Sequence, residues 1–242
     1  IREMLYADDA ALASHTEDGL QRLVDCIKKT NVRAQDISYT PCIKIDDHTL
    51  EVVDEFVYLG STISTNMNLD TEINKRIGKA AATLSKLTKR VWDNNLLTQN
   101  TKMRVYQACI LSMLLYGSET WTTYMRQEHR LNTFHMRCLR RILGIKWQDR
   151  VSNNDILTRA GIPSIYSLLS QRRLRWLGHV RRMEDGHIPK DILYRQLTSG
   201  NRRVGRPALR YKDVCKREMK TCNIDTTYWE TVADDRLCWS RM

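Results

Sequence analysis

"MLYADDAALA", residues 4–13, sets two adjacent aspartates between short apolar runs, and its reading decides what the front of the chain is. Residues 3–7 and 10–13 suit two strands joined at Asp8-Asp9. An aspartate pair is not diagnostic by itself, because the chain also holds Asp46-Asp47 and Asp234-Asp235. Asp46-Asp47 is the demanding control, since strand-like runs flank it too ("CIKI" and "TLEVV"). The flanks differ. Ala7, Ala10 and Ala11 are small and let a substrate backbone approach, whereas His48 and Thr49 suit a solvated turn. Nucleotide transfer by two-metal catalysis needs carboxylates held at a rigid position, so that two Mg²⁺ bridge the attacking hydroxyl and the triphosphate. A tight strand-to-strand turn meets that need; the bland alternative is a turn with polar tips.

Outward from this stretch the front of the chain stays mixed. Thr16 caps an expected helix with Leu20, Leu23, Val24 and Ile27 on one face. "IKIDDHTLEVV" (43–53) alternates and turns like a hairpin, and "FVYLGSTI" (56–63) reads as a strand interrupted by Gly60. From about residue 68 the period changes. Ile73, Ile77, Ala80, Leu84, Leu87 and Val91 step by four and three, which predicts an amphipathic helix with Lys75, Arg76, Lys79, Lys86, Lys89 and Arg90 on its other faces. Thr98 opens a second, more apolar helix that runs to Gly117. A third, over 125–143, turns Leu131, Phe134, Cys138 and Ile142 inward. Further helices follow, near 165–182, 208–221 and 226–240, with "SGNRRVGRPALR" (199–210) as a loop. The fold class is therefore α+β at the N-terminus and mostly α-helical after it.

Composition narrows the partners. The 242 residues carry 39 Lys+Arg against 28 Asp+Glu, a formal +11, which points to a polyanion, most often nucleic acid. The excess is uneven: residues 1–160 have 22 cations against 19 anions, and residues 161–242 have 17 against 9. Seven scattered cysteines suit reduced thiols inside a cell better than a disulfide framework. The longest apolar run, "CILSMLLY", is too short to span a bilayer, so no membrane partner is expected. "IREMLY" at the start reads like the middle of a strand, so the chain is expected to be a fragment.

"YADD", then a helix, then "FVYLGSTI" and a basic helical region, resembles the C-terminal part of a reverse transcriptase. The runs "RIGKAAATLSKLTKRVW", "LLYGSETWT", "RLNTFHMRCLRRILGIKWQDRV", "RRLRWLGHVRRM" and "GRPALRYKDVCKRE" are similar, in the same order, to the endonuclease–reverse transcriptases of non-LTR (LINE-like, RTE-type) retrotransposons. The resemblance covers nearly the whole chain. It implies an RNA-directed DNA polymerase, a nucleotidyltransferase that adds deoxynucleotides to a primer 3′ hydroxyl. It also implies three parts: residues 1–66 as the end of the palm, 67–160 as a helical thumb, and 161–242 as a basic nucleic-acid-binding region.

By the same resemblance Asp8 and Asp9 are the catalytic pair and ligands of two Mg²⁺, with no zinc. Tyr6, Ala7 and Lys29 line the substrate site, and Tyr58, Leu59 and Gly60 form the primer grip. The partners implied are template RNA, primer or target DNA and deoxynucleoside triphosphates, in cytoplasm and nucleus. Two departures stand out. The family's first catalytic aspartate lies on an upstream strand that these residues do not contain, together with the fingers and the endonuclease. The helix after "YADD" also runs almost directly from "LVDCI" to "KKTN", shorter than the family pattern, which puts the role of Lys29 in question. A catalytically inert nucleic-acid-binding remnant is the alternative reading, and a structural protein with an incidental basic surface is a third.

Other candidates were weighed on their residues. Lys75, Lys79, Lys86, Lys89 and Arg90 either track a nucleic-acid backbone or form a solvated face. Arg172, Arg173, Arg175, Arg181 and Arg182 form an arginine cluster expected to meet phosphates. Trp176 among them could stack on a base, but its register with Ile165 and Leu169 favours the core. Gly205-Arg206-Pro207 resembles a minor-groove hook without its second arginine, so a polar loop is preferred and Arg206 remains a candidate. His135-x-x-Cys138 and the cysteines at 215, 222 and 238 lack the tight spacing of a zinc site.

Overall fold

The computed structural model describes residues 2–6, 9–13, 42–45, 48–50, 52–64, 68–194 and 209–241, with isolated positions at 16, 18 and 21. For 2–6, 9–13, 45 and 48 only the backbone is described. The chain divides into two compact units, Ile1–Glu72 and Ile73–Met242. The helix expected after Thr16 falls almost wholly outside the described residues.

Among the described residues the first unit holds three separate two-stranded antiparallel sheets. Strands β1 (Arg2–Tyr6) and β2 (Asp9–Ala13) pair from Arg2 opposite Ala13 to Tyr6 opposite Asp9. Strands β3 (Lys44–Ile45) and β4 (His48–Thr49) close on Ile45 opposite His48. Strands β5 (Glu55–Tyr58) and β6 (Ser61–Ser64) close on Tyr58 opposite Ser61. "FVYLGSTI" is therefore a hairpin and not one interrupted strand. Leu59 and Gly60 both take positive φ, 47° and 77°, as a two-residue turn matched to the right-handed strand twist requires. Glycine does this freely; leucine does it at a steric cost. Behind the hairpin the buried Glu72 carboxylate accepts a 2.7 Å hydrogen bond from the Thr62 amide.

The second unit is helical. Helix α1 (Asp70–Lys86) begins just before the division and runs into a π-helical turn, Thr88–Trp92. Ile73, Ala80 and Leu84 are buried along it, as their spacing predicts, while Ile77, Leu87 and Val91 are half-buried. The Trp92 indole donates to the Leu84 carbonyl at 2.7 Å and locks this end. Helix α2 (Gln99–Val105) starts at Thr98, whose hydroxyl accepts from the Thr101 amide, and continues through a π-helical segment, Tyr106–Leu111, to Leu114. Helix α3 (Met125–Leu143) buries Leu131, Phe134, Cys138 and Ile142 and ends at Gly144, φ 68°.

Helices α4 (Asn153–Ala160), α5 (Ile165–Arg181) and α6 (Ile188–Tyr194) follow. The last three are α7 (Tyr211–Thr221), α8 (Trp229–Asp234) and α9 (Arg236–Arg241). Leu174 and Leu177 of α5 share a core with Cys215, Met219, Trp229, Ala233 and Trp239, so the final helices close over α5. No described helix is long and apolar enough to cross a membrane.

Candidate functional site

The ladder of β1 and β2 brings Tyr6 and Asp9 face to face at its end, with Asp9 the first residue of β2. Ala7 and Asp8 between them, and Lys29, lie outside the described residues. Asp46 and Asp47, between β3 and β4 in the sequence, also lie outside the described residues. Tyr58, Leu59 and Gly60 sit together at the end of the β5–β6 hairpin, with Tyr58 half-buried and the other two exposed. Among the described residues no group of three or more His, Cys, Asp or Glu could hold a metal ion.

In the second unit Lys75, Lys79, Lys86, Lys89 and Arg90 are all exposed. Lys75, Lys79 and Lys86 recur near multiples of a helical turn along α1 and form a stripe about 16 Å long at 1.5 Å per residue, and Lys89 and Arg90 lie in the π-helical turn that follows. Lys79, Lys86, Lys89 and Arg90 have no carboxylate partner among the described residues. Like charges at i,i+4, as in Lys86 and Arg90, cost roughly 0.2–0.5 kcal/mol in isolation. A polyanion laid along the stripe would reverse that sign. Arg76, by contrast, is buried with its guanidinium 4.7 Å from the centre of the Tyr116 ring.

The α5 arginines are mostly spoken for, which corrects the expectation of a phosphate-binding cluster. Arg173 is fully buried and cannot reach a nucleic acid. Ile165, Leu169, Arg173, Leu177 and Val180 step by four and three down the buried side of α5, and Arg173 occupies the central place. Its Nε donates to the Trp121 carbonyl at 3.1 Å, and both terminal nitrogens donate to Glu128 Oε1 at 3.2 Å. Glu218 and the Thr123 hydroxyl complete the cage, and Thr123 in turn donates to Glu128 at 2.6 Å. Burial raises the Glu218 carboxyl above its usual range, with Arg173 pulling the other way, and Glu218 Oε2 has no partner among the described residues.

The neighbouring arginines also bind the protein itself. Arg172 donates to the Leu115 carbonyl at 3.1 Å. Arg181 forks onto Asp234 at 3.0 and 3.2 Å, and Arg182 donates to the Ala233 carbonyl. Arg175 alone of the five is well exposed. Trp176 is half-buried against the His179 ring, 5.2 Å between centres, and so is not the core residue its register suggested. Arg206 lies outside the described residues.

His135 and Cys138 are built into the core and face no solvent. His135 Nδ1 meets the Tyr106 hydroxyl at 2.7 Å, while Nε2 has no hydrogen-bond partner among the described residues. Burial lowers the imidazole to about 4 and pushes the Cys138 thiol up to about 12. One residue was passed over in the sequence. Trp147 is 82 % exposed, while Trp92, Trp121, Trp229 and Trp239 are buried. Its signal was there: "IKWQDR" sets the ring among charged residues in the short stretch that follows Gly144.

No family model matches the chain, and no solved structure matches it. Over 197 residues the chain is 29 % identical to an uncharacterized transposon-derived protein of Caenorhabditis elegans, covering 78 % of this chain and 70 % of that one.

Proposed function

We propose that this chain derives from a transposable element and is the palm end, thumb and basic C-terminal region of a non-LTR retrotransposon reverse transcriptase. The observation that carries the reading is the β1–β2 hairpin, whose closing pair, Tyr6 opposite Asp9, brackets the "YADD" sequence. The transposon-derived relative and the exposed cations Lys79, Lys86, Lys89 and Arg90 support it from independent directions. In this reading Asp8 and Asp9 contribute carboxylates to a site completed by a further aspartate. Mg²⁺ bound there would activate the primer 3′ hydroxyl and neutralise the triphosphate. Gly60 keeps side-chain bulk low where the primer end is held. The helical unit holds template and primer through their phosphates, by way of Lys79, Lys86, Lys89 and Arg90.

Binding of duplex nucleic acid measured against salt tests the part these residues play. Each phosphate contact contributes about 0.9 to the log–log slope, so neutralising those four cations together flattens it by about 3 to 4. Glutamine at Arg172 and Arg181, which bind the protein itself, leaves the slope nearly unchanged. A slope indifferent to the four α1 substitutions removes α1 from the interface and favours a protein whose basic surface is incidental.

A further inference from the structure

We infer that Trp147 is a stacking platform for an unpaired nucleobase of a single strand whose backbone follows the cations of α1; the inference rests on the nucleic-acid reading above. A tryptophan 82 % exposed leaves most of its apolar ring in water, which a chain that buries four others has no folding reason to do. The ring is also displayed from a fixed support. Gly144 turns the chain out of α3 at φ 68°, with the Ile145 amide returning to the Arg140 carbonyl at 2.9 Å. Trp147–Asp149 then forms a single 3₁₀ turn. The Asp149 carboxylate accepts from the Lys146 amide at 2.7 Å, and the Arg150 amide closes back on the Trp147 carbonyl at 3.3 Å. On the far side Arg140 donates to the Val151 carbonyl at 3.1 Å and to Asn153 at 3.0 Å. Arg150 is held at φ 49°, a left-handed conformation a non-glycine residue adopts only where its surroundings impose it. The segment 144–152 is thus braced at both ends with its one large aromatic ring turned outward.

Charge selects the occupant. Lys146 and Arg150 flank the ring and are exposed, and Arg137 and Arg141 are exposed on the last turns of α3. The only carboxylate of the segment, Asp149, is already engaged by the Lys146 amide. An exposed apolar ring with exposed cations near it in the sequence suits a base joined to phosphates. The platform also adjoins the proposed backbone path. Arg141 donates to the Thr88 hydroxyl at 2.9 Å, and Thr88 immediately precedes Lys89 and Arg90. Every base has a π-face, so the platform is indifferent to sequence.

The test compares the full chain with Trp147→Ala and Trp147→Phe on twenty-residue oligothymidylate, oligouridylate and a blunt DNA duplex. Stacking on one base is worth enough that Trp147→Ala weakens single-strand binding by about 5- to 150-fold. Duplex affinity stays within about twofold, since it rests on phosphates. Trp147→Phe keeps most of the affinity. Single-strand binding quenches tryptophan fluorescence in the wild type and much less in Trp147→Phe. A loss confined to the DNA or the RNA strand still upholds the platform and assigns it to that strand. Unchanged single-strand affinity in Trp147→Ala overturns the inference while leaving the α1 interface standing, and so does an equal loss on duplex. If the wild-type chain shows no salt-dependent binding at all, the nucleic-acid reading fails and takes this inference with it.

Discussion

Arg173 is the residue on which the helical unit turns. It joins α5 to the 121–128 segment and to α7 through one guanidinium, and it leaves no donor facing solvent. Removing one partner of such a buried group strands the others, so Arg173→Ala should cost on the order of 3–5 kcal/mol in urea unfolding. Arg175→Ala, two residues away and exposed, should cost under about 0.5 kcal/mol. Comparable losses would show that the cage adds nothing. The sequence pattern put Ile165, Leu169 and Trp176 inward and Arg173 outward, whereas the buried register is 165, 169, 173, 177 and 180. The carboxylates that make an inward arginine tolerable lie 45 residues away on either side, at Glu128 and Glu218, and nothing local announces them.

His135 gives a second test at this scale. Its folded pKa of about 4 lies below the ordinary 6.5, because burial disfavours the charged ring. Its contribution is complete above pH 6.5 and drains away as pH falls toward 4, where the unfolded chain takes up a proton that the folded chain refuses. The loss amounts to about 3 kcal/mol. His135→Asn, which cannot ionise, should flatten the decline in unfolding free energy across that window; an equally steep decline would assign it to other groups.

At the scale of elements, Gly178 shows why "RRLRWLGHVRRM" needs its glycine. Glycine within a helix costs roughly 1 kcal/mol relative to alanine. Here a Cβ would collide with the indole of Trp239, which crosses α5 to donate from Nε1 to the Leu174 carbonyl at 2.8 Å. Displacing a packed ring costs more than the helix gains, so Gly178→Ala should destabilise by about 1–3 kcal/mol in thermal or urea unfolding. A stabilised variant would mean that α9 does not rest on α5. The long helices were plain from periodicity, down to the span 125–143 of α3, whereas α6 was not expected and the helix expected over 226–240 is two, α8 and α9. The β5–β6 hairpin was not, because the usual turn dipeptides are Asn-Gly and Asp-Gly, and Leu59 at φ 47° is a residue the turn tolerates without preferring.

For the whole molecule, net charge pointed to a polyanion but not to the residues that meet it. Most of the excess lies in residues 161–242, yet Arg172, Arg173, Arg181 and Arg182 there are turned to internal partners, while Lys79, Lys86, Lys89 and Arg90, on α1 and the turn after it, are exposed. Composition counts charges; only packing shows which of them are spent. In the first unit Asp8-Asp9 and Asp46-Asp47 both fall between strand-like runs of sequence, and the proposed chemistry belongs to the first pair alone. The decisive measurement is primer extension on an RNA template by this chain joined to the fingers and first palm strands of a related non-LTR reverse transcriptase. Two adjacent carboxylates are too few ligands for two Mg²⁺, so the 242 residues alone should extend no primer. The joined protein should extend it in Mg²⁺, lose that activity with Asp8→Asn, and keep it with Asp47→Asn. Extension that survives Asp8→Asn, or that falls equally with either substitution, would contradict the assignment.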